Sequence, residues 1–105
     1  TWLSTDRRID THSAGAADSR YPVICTSAGN VYIAWQDYRN SRWEIWFNYS
    51  FDNGSSFQAA DIRVDKDDAG DSKFPKITCS ANNVYITWED TRFGANPDTF
   101  FNFVK

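Results

Sequence analysis

Apolar and polar positions alternate with a period of two along much of this chain, which is typical of β-strands. Residues 31–36 place Val31, Ile33 and Trp35 on one face and two further apolar side chains on the other. This strand is therefore expected to be covered on both sides. No stretch longer than a few residues shows the 3.6-residue apolar period of a helix. The pattern predicts an all-β chain.

The same pattern occurs twice. Residues 21–39, YPVICTSAGNVYIAWQDYR, return 53 positions later as residues 74–92, FPKITCSANNVYITWEDTR, with 11 of 19 aligned positions identical. Self-similarity at a fixed period of this size is typical of repeat architectures. Because a repeat unit does not bury its faces alone, each unit needs a neighbour to complete it.

Each repeat is predicted to contain up to four strands. In the first repeat these cover residues 22–26, 31–36, 44–50 and 57–65, with turns at Gly29-Asn30 and at residues 52–54. The first strand is small and apolar, and the fourth is half polar. This gradient fits a four-stranded antiparallel blade that runs from the axis of a β-propeller to its rim.

The phase of the repeat predicts an open segment of two such blades. Residues 2–10 match residues 57–65, and residues 98–105 match the third strand of the first repeat. The predicted organisation is a single segment: residues 1–10 as an outer strand completing a neighbouring blade, 21–65 as the first blade, and 74–105 as the second blade lacking its outer strand. Because unpaired edge strands are usually covered or paired, we expect the opening strand of another copy to complete the last blade.

Composition and charge argue against nucleic acid as a partner of this chain and against a membrane span. The formal net charge is −3 and no basic stripe is present, so nucleic acid is not an expected partner. No apolar run of 18 or more residues predicts a membrane span. The chain begins at Thr1 rather than at a methionine, which indicates a processed or excised piece. The compartment stays open, with a secreted or cell-surface location favoured.

Two cysteines allow either a disulfide or two free thiols. Cys25 aligns with Thr78, whereas Cys79 aligns with Thr26, so the two thiols lie one residue out of register and on opposite faces of equivalent strands. Facing sheets lie about 10 Å apart, farther than the Cα–Cα distance that a disulfide allows. The expectation from this geometry is two buried free thiols.

The segment SFDNGSSF, residues 50–57, resembles the Asp box (S-x-D-x-G-x-x-W/F) of sialidase-like, or BNR-repeat, β-propellers, with Ser50, Asp52, Gly54 and Phe57 at the motif positions. In that family the box forms the turn between the third and fourth strands of a blade, and the rings usually have six or more blades. Two blades do not close a ring. The chain is therefore either a fragment or a unit that closes a ring with identical copies. A cyclic homotrimer is favoured over a ring of two or four copies because three copies supply six blades.

The strongest candidate for ligand binding is the duplicated pattern W-Q/E-D-x-R, after the second strand of each repeat. Arginine recognises carboxylates and phosphates, and nearby aromatic rings can stack on a sugar or an apolar ligand. The candidate ligand-binding residues are Asp37, Tyr38, Arg39, Trp43, Asp90, Arg92 and Phe93. A simpler interpretation is that each aspartate pairs with its own arginine and fixes the loop.

No metal, cofactor or catalytic residue is predicted. The acidic connector at residues 65–72 follows only part of a calcium-loop pattern and is interpreted as a solvated turn. His12 is the sole histidine, which gives no support to a zinc site or a catalytic dyad.

Three functions stay open. The favoured one is a non-catalytic, multivalent glycan-binding module, since a ring of equal blades repeats one shallow pocket and gains avidity. The first alternative is a structural or protein-interaction repeat of a larger propeller protein. The second is part of an exo-sialidase or another glycoside hydrolase, as the resemblance implies.

The family's F/Y-R-I-P segment, however, is matched here by RYPVI and KFPKI, without arginine between the aromatic residue and proline. Whether the chain is an enzyme stays undecided, with a non-enzymatic role favoured.

Overall fold

Seven strands form two antiparallel sheets in the computed structural model, which describes residues 3–66 and 69–104. The strands are β1 (Ser19–Ser27), β2 (Asn30–Asp37), β3 (Glu44–Ser50), β4 (Ile62–Arg63), β5 (Ser72–Ser80), β6 (Asn83–Asp90) and β7 (Asp98–Val104). The first sheet has the order β1-β2-β3-β4 and the second the order β5-β6-β7. Among the described residues there is no helix that could span a membrane. The all-β prediction and the strand order within each repeat are confirmed.

The two sheets pack face to face around one core. We call one side of each sheet its forward face, which carries Tyr32, Ala34 and Phe47 in the first sheet and, at the equivalent positions, Tyr85, Thr87 and Phe101 in the second. The opposite side, the rear face, carries Ile33 and Trp35 in the first sheet and Ile86 and Trp88 in the second. The buried cluster joins the forward face of the first sheet to the rear face of the second. The first sheet therefore packs through its forward face, and the second sheet through its rear face, at the contact between them.

The expectation of free thiols is wrong, because Cys25 and Cys79 form a disulfide with their Cα atoms 6.1 Å apart. Cys25 pairs with Tyr32 across β1 and β2, and so lies on the forward face, whereas Cys79 pairs with Val84 and lies on the rear face. Because the forward face of the first sheet packs against the rear face of the second, opposite faces of equivalent strands face each other. The offset of one residue therefore brings the thiols together. At this point β1 and β5, measured between the Cα atoms of the two cysteines, lie closer than the roughly 10 Å typical of stacked sheets.

Replacing both cysteines by serine will lower the free energy of unfolding by about 2–4 kcal/mol, because a disulfide restricts the unfolded chain. Urea unfolding followed by tryptophan fluorescence measures this loss. The matched control carries Thr26→Ser and Thr78→Ser at the equivalent positions of the other repeat, and it should stay within about 1 kcal/mol of the parent. Equal stabilities for the cysteine variant and the control would contradict the cross-link.

The fourth strand of the first sheet is shorter than predicted. The strand covers Ile62 and Arg63, which lie opposite Phe47 and Trp46 of β3. The N–H of Val64 adds one hydrogen bond to the carbonyl of Ile45 at 2.8 Å. Earlier in the predicted strand, the side chain of Asn48 replaces the backbone ladder: its Oδ1 accepts from the N–H of Gln58 at 3.0 Å, and its Nδ2 donates to the carbonyl of Gln58 at 3.1 Å. An amide side chain thus satisfies backbone groups that a regular strand would pair.

The opening segment forms no strand over residues 3–10, and Trp2, part of the predicted outer strand, lies outside the described residues. Arg7 donates to the carbonyls of Gly54 and Ser55, and the backbone N–H of Thr11 donates to Asp61 at 2.7 Å. The segment therefore lies against the first sheet of its own chain. Pairing with the last strand of another copy needs a second chain and stays a prediction.

The first hairpin turn lies one residue earlier than predicted. In the first hairpin, Ala28 and Gly29 connect β1 and β2 with φ values of 53° and 83°. Two positive values are what a tight hairpin turn requires, and glycine adopts this conformation without steric cost. Asn30 instead begins β2, where its side chain donates to the hydroxyl of Tyr32 at 3.0 Å.

Candidate functional site: the duplicated aspartate–arginine loops

Asp37 ends β2 and organises the loop that follows. Its side chain is fully buried. Arg39 donates to it three times, through its backbone N–H at 2.9 Å, its Nε at 3.1 Å and its Nη2 at 2.8 Å. The indole of Trp35 adds a fourth bond at 2.9 Å. Asp37 is therefore saturated by groups of its own chain.

Arg39 also reaches a second carboxylate. Its Nη2 lies 2.7 Å from Asp61, whose side chain is fully buried, and its guanidinium lies 3.8 Å from the ring centroid of Trp46. Such a stacked, forked position is one that arginine occupies better than lysine. The loop after β2 is thereby attached to the segment that precedes β4.

The second repeat reproduces the first pair. Arg92 donates to Asp90 through its backbone N–H at 2.8 Å, its Nε at 3.1 Å and its Nη2 at 2.8 Å, and the indole of Trp88 donates at 3.1 Å. Here the guanidinium lies 3.8 Å from the ring centroid of Phe100. The structure shows in both repeats the local pairing that the sequence offered as the simpler interpretation.

The surroundings of Asp37 and Asp90 lower the pKa values of both carboxyl groups and so favour their ionised forms. Burial alone would raise the pKa of Asp90, but the hydrogen bonds from Arg92 and Trp88 outweigh it and lower the pKa to about 2. The same opposition lowers the pKa of Asp37. The stabilisation by Asp90 is complete above the ordinary value of 3.8 and is lost as the pH falls through about 2. Burial would likewise lower the pKa of Arg39, but Asp37 and Asp61 raise it.

Asp10, His12 and Asp37 gather around the hydroxyl of Ser19, an arrangement that the sequence did not predict. Their three ligand-type atoms lie within 4.8 Å of one another. Ser19 Oγ donates to Asp10 at 2.6 Å and lies 3.1 Å from both Asp37 Oδ2 and His12 Nε2. Two carboxylates and an imidazole are a donor set that a divalent metal accepts, but the serine hydroxyl lies between them and Asp37 Oδ2 already accepts from Arg39.

A matching serine bridge connects the two sheets and revises the prediction for the acidic connector. Ser72 Oγ lies 2.8 Å from Asp65 and 3.1 Å from Asp90, and Asp65 accepts from the backbone N–H of Ile45 at 2.9 Å. Asp65 and Ser72 are both fully buried, so at its two ends the connector is not a solvated turn. Residues 67–68 lie outside the described residues. The recurrence of this bridge indicates a structural role for the Ser19 cluster as well.

The predicted aromatic residues lie at the same end of the sheets as these loops. Tyr38 packs edge-on against Trp43 with ring centroids 5.0 Å apart, and the guanidinium of Arg20 lies 5.8 Å from the Trp43 ring. Phe93, in the loop of the second repeat, is 79% exposed and lies 6.2 Å from Phe100. The rings of Tyr38 and Phe93 are exposed, whereas the guanidinium groups of Arg39 and Arg92 are held by buried aspartates.

A second aromatic pair, which was not predicted from the sequence, lies on β1 and β5, the first strand of each sheet. Tyr21 and Phe74 have φ values of 55° and 56°, in a conformation that bulky residues rarely adopt. Each lies at a break in strand register. Both rings are exposed and lie 5.2 Å apart. The signal in the sequence was an aromatic residue before proline in both repeats. We call Tyr21, Phe74, Tyr38, Trp43 and Arg20 the loop-end patch.

The segment that resembles an Asp box, residues 50–57, forms a tight turn at the other end of β3. Gly54 has a φ of 86° and donates its N–H to Ser50 Oγ at 2.9 Å. Asp52 accepts from the Ser50 hydroxyl at 2.7 Å and from the N–H of Ser56 at 2.8 Å, and these hydrogen bonds lower the pKa of Asp52 to about 2. Phe57 is half-buried. Asp52 thus holds the turn together as a hydrogen-bond acceptor.

Comparison of the chain with protein families, with curated proteins and with solved structures gives no match. We therefore infer function from the repeat and from the geometry of the described residues. That geometry offers two features beyond the fold itself: an accessible aromatic patch at the loop end and an asymmetry between the faces of the sheets.

Proposed function

We propose that this chain is a two-blade propeller segment that closes a ring with identical copies. The observation that carries this proposal is the forward face of the second sheet. Phe47, on the forward face of the first sheet, is 1% exposed against the second sheet, whereas its equivalent Phe101 is 56% exposed. Beside Phe101 lie the rings of Tyr85 and Phe103, at 6.3 Å and 5.9 Å. A face built for burial thus lies open to solvent in the single chain.

The rear face of the first sheet supplies the complementary surface. Ile77, on the rear face of the second sheet, packs against the core, whereas its equivalent Ile24 is 61% exposed. The contact between the two sheets of one chain can therefore recur between the second sheet of one copy and the first sheet of the next. Such head-to-tail contacts close rings when the rotation is right, and three copies supply the six blades implied by the Asp-box resemblance.

The ring would carry a non-catalytic, multivalent glycan-binding surface at its loop end. Exposed aromatic rings beside a cation can stack on the apolar face of a sugar. One loop-end patch occurs per chain, so a ring repeats it by symmetry and weak contacts add through avidity. The strained backbone at Tyr21 and Phe74 supports a functional role, because such strain clusters at binding sites.

Two further observations bear on this role. The disulfide between Cys25 and Cys79 favours an oxidising compartment, which supports a secreted or cell-surface location. Arg39 and Arg92 are tied to buried aspartates, which leaves them poorly placed to clamp a substrate carboxylate. We therefore propose binding rather than exo-sialidase activity.

A glycan array probed with the labelled protein tests the binding role. We expect at least one glycan class to bind, and Tyr21→Ala and Tyr38→Ala each to weaken that binding about tenfold, since each removes a stacking ring. Leu3→Ala, which removes an exposed apolar side chain outside the loop-end patch, is the control and should leave it unchanged. An array without signal would favour the structural or protein-interaction role instead.

A further inference from the structure

A cavity of about 390 Å³ lies between the two sheets at the end that carries the Asp box. Its wall on the first sheet is aromatic. The rings of Phe47 and Tyr49 are 5.8 Å apart, and those of Tyr49 and Phe51 are 4.8 Å apart. Val84 and Val104 line the cavity from the second sheet. Its volume falls in the range of cavities that bind small molecules.

The lining is uncharged. Every described side chain around the cavity is aliphatic, aromatic or a neutral amide. The amides are those of Asn30 and Asn82, and the hydroxyl of Tyr32 accepts from Asn30 at 3.0 Å. A site with apolar walls and a few polar groups binds a neutral ring compound better than an ion, because a charge would lose its hydration without gaining a counter-charge.

We propose that this cavity is a binding site for a small, uncharged, ring-containing ligand. The ligand contacts the rings of Tyr49 and Phe51 and occupies the gap between the sheets. This site is separate from the loop-end patch, because Asn30 begins β2 whereas Asp37, next to the patch, ends it. All of its described lining residues belong to one chain, so the site does not depend on ring closure.

Fluorescence titration with the neutral dye N-phenyl-1-naphthylamine tests this site on the full chain. We expect saturable binding of one dye molecule per chain, with a blue-shifted emission that reports an apolar environment. Phe51→Ala removes one ring of the wall and should raise the Kd about tenfold. Because Phe51 is 66% exposed, this variant should fold like the parent, which circular dichroism verifies.

Phe93→Ala is the matched control, since Phe93 is a similarly exposed phenylalanine in the loop of the second repeat. Its Kd should equal that of the parent. A second variant, Val104→Trp, places an indole on the opposite wall and should reduce dye binding by competing for the space. Non-saturable binding, or an equal loss in Phe51→Ala and Phe93→Ala, would overturn the proposal. Either result leaves the ring unaffected, because dye binding and oligomeric mass are measured separately.

Discussion

Replacing Arg39 by alanine will lower the free energy of unfolding by about 3–5 kcal/mol, the cost of removing one partner from a buried ion pair. Arg39 lies between the carboxylates of Asp37 and Asp61, both fully buried, at 2.8 Å and 2.7 Å. Without the guanidinium, two neighbouring negative charges stay in a poorly hydrated site. Urea unfolding at a fixed protein concentration, followed by tryptophan fluorescence, measures the loss.

The chain offers a matched control for this experiment. Arg20 pairs with Asp18 at 3.0 Å, but both side chains are more than half exposed, so Arg20→Ala should cost less than about 1 kcal/mol. Arg39→Lys should lie between the two, because an ammonium group does not fork between two carboxylates and stack on Trp46. A loss below about 1 kcal/mol for Arg39→Ala would contradict the central structural role that the geometry gives this residue.

Replacing Phe101 by aspartate will convert the proposed ring into single chains. Phe101 is the exposed equivalent of the buried Phe47, and in a closed ring it would pack against the rear face of the next copy. A carboxylate there would lose its hydration without a partner, which costs several kcal/mol at each joint. Analytical ultracentrifugation of the parent and the variant measures the change in mass.

Phe93→Asp is the control for assembly. Phe93 is 79% exposed in a loop, and its equivalent in the first repeat is Asn40, so it should stay outside the joint between copies. The same charge at this position should leave the mass of the assembly unchanged. Dissociation in both variants would indicate a general effect of charge, and retention of the parent mass by Phe101→Asp would exclude this face from the joint.

The repeat was sufficient to predict the all-β class and the order of the strands within each sheet. The alternation in residues 31–36 and its recurrence identified the strands, and their phase gave four strands in one sheet and three in the other. The pairing of Asp37 with Arg39 was also accessible, because the two residues are neighbours in the sequence. These features depend on local pattern, which a single sequence carries.

What the sequence did not reveal depends on contacts between distant segments. The disulfide forms because opposite faces of equivalent strands meet between the two repeat units. The one-residue offset of Cys25 and Cys79 was therefore wrongly taken as evidence for free thiols. The second carboxylate of Arg39, Asp61, lies 22 residues away. The short β4 reflects Asn48, whose side chain takes over backbone hydrogen bonds that a strand pattern assigns to a neighbouring strand.

The mass of the parent chain in solution tests the central proposal most directly. Light scattering coupled to size-exclusion chromatography, at micromolar concentration, should give three times the chain mass of 12.1 kDa. That result would support closure of the ring by three identical copies. A mass of 12.1 kDa across the concentration range would contradict ring closure by identical copies and leave the chain as a segment of a larger protein.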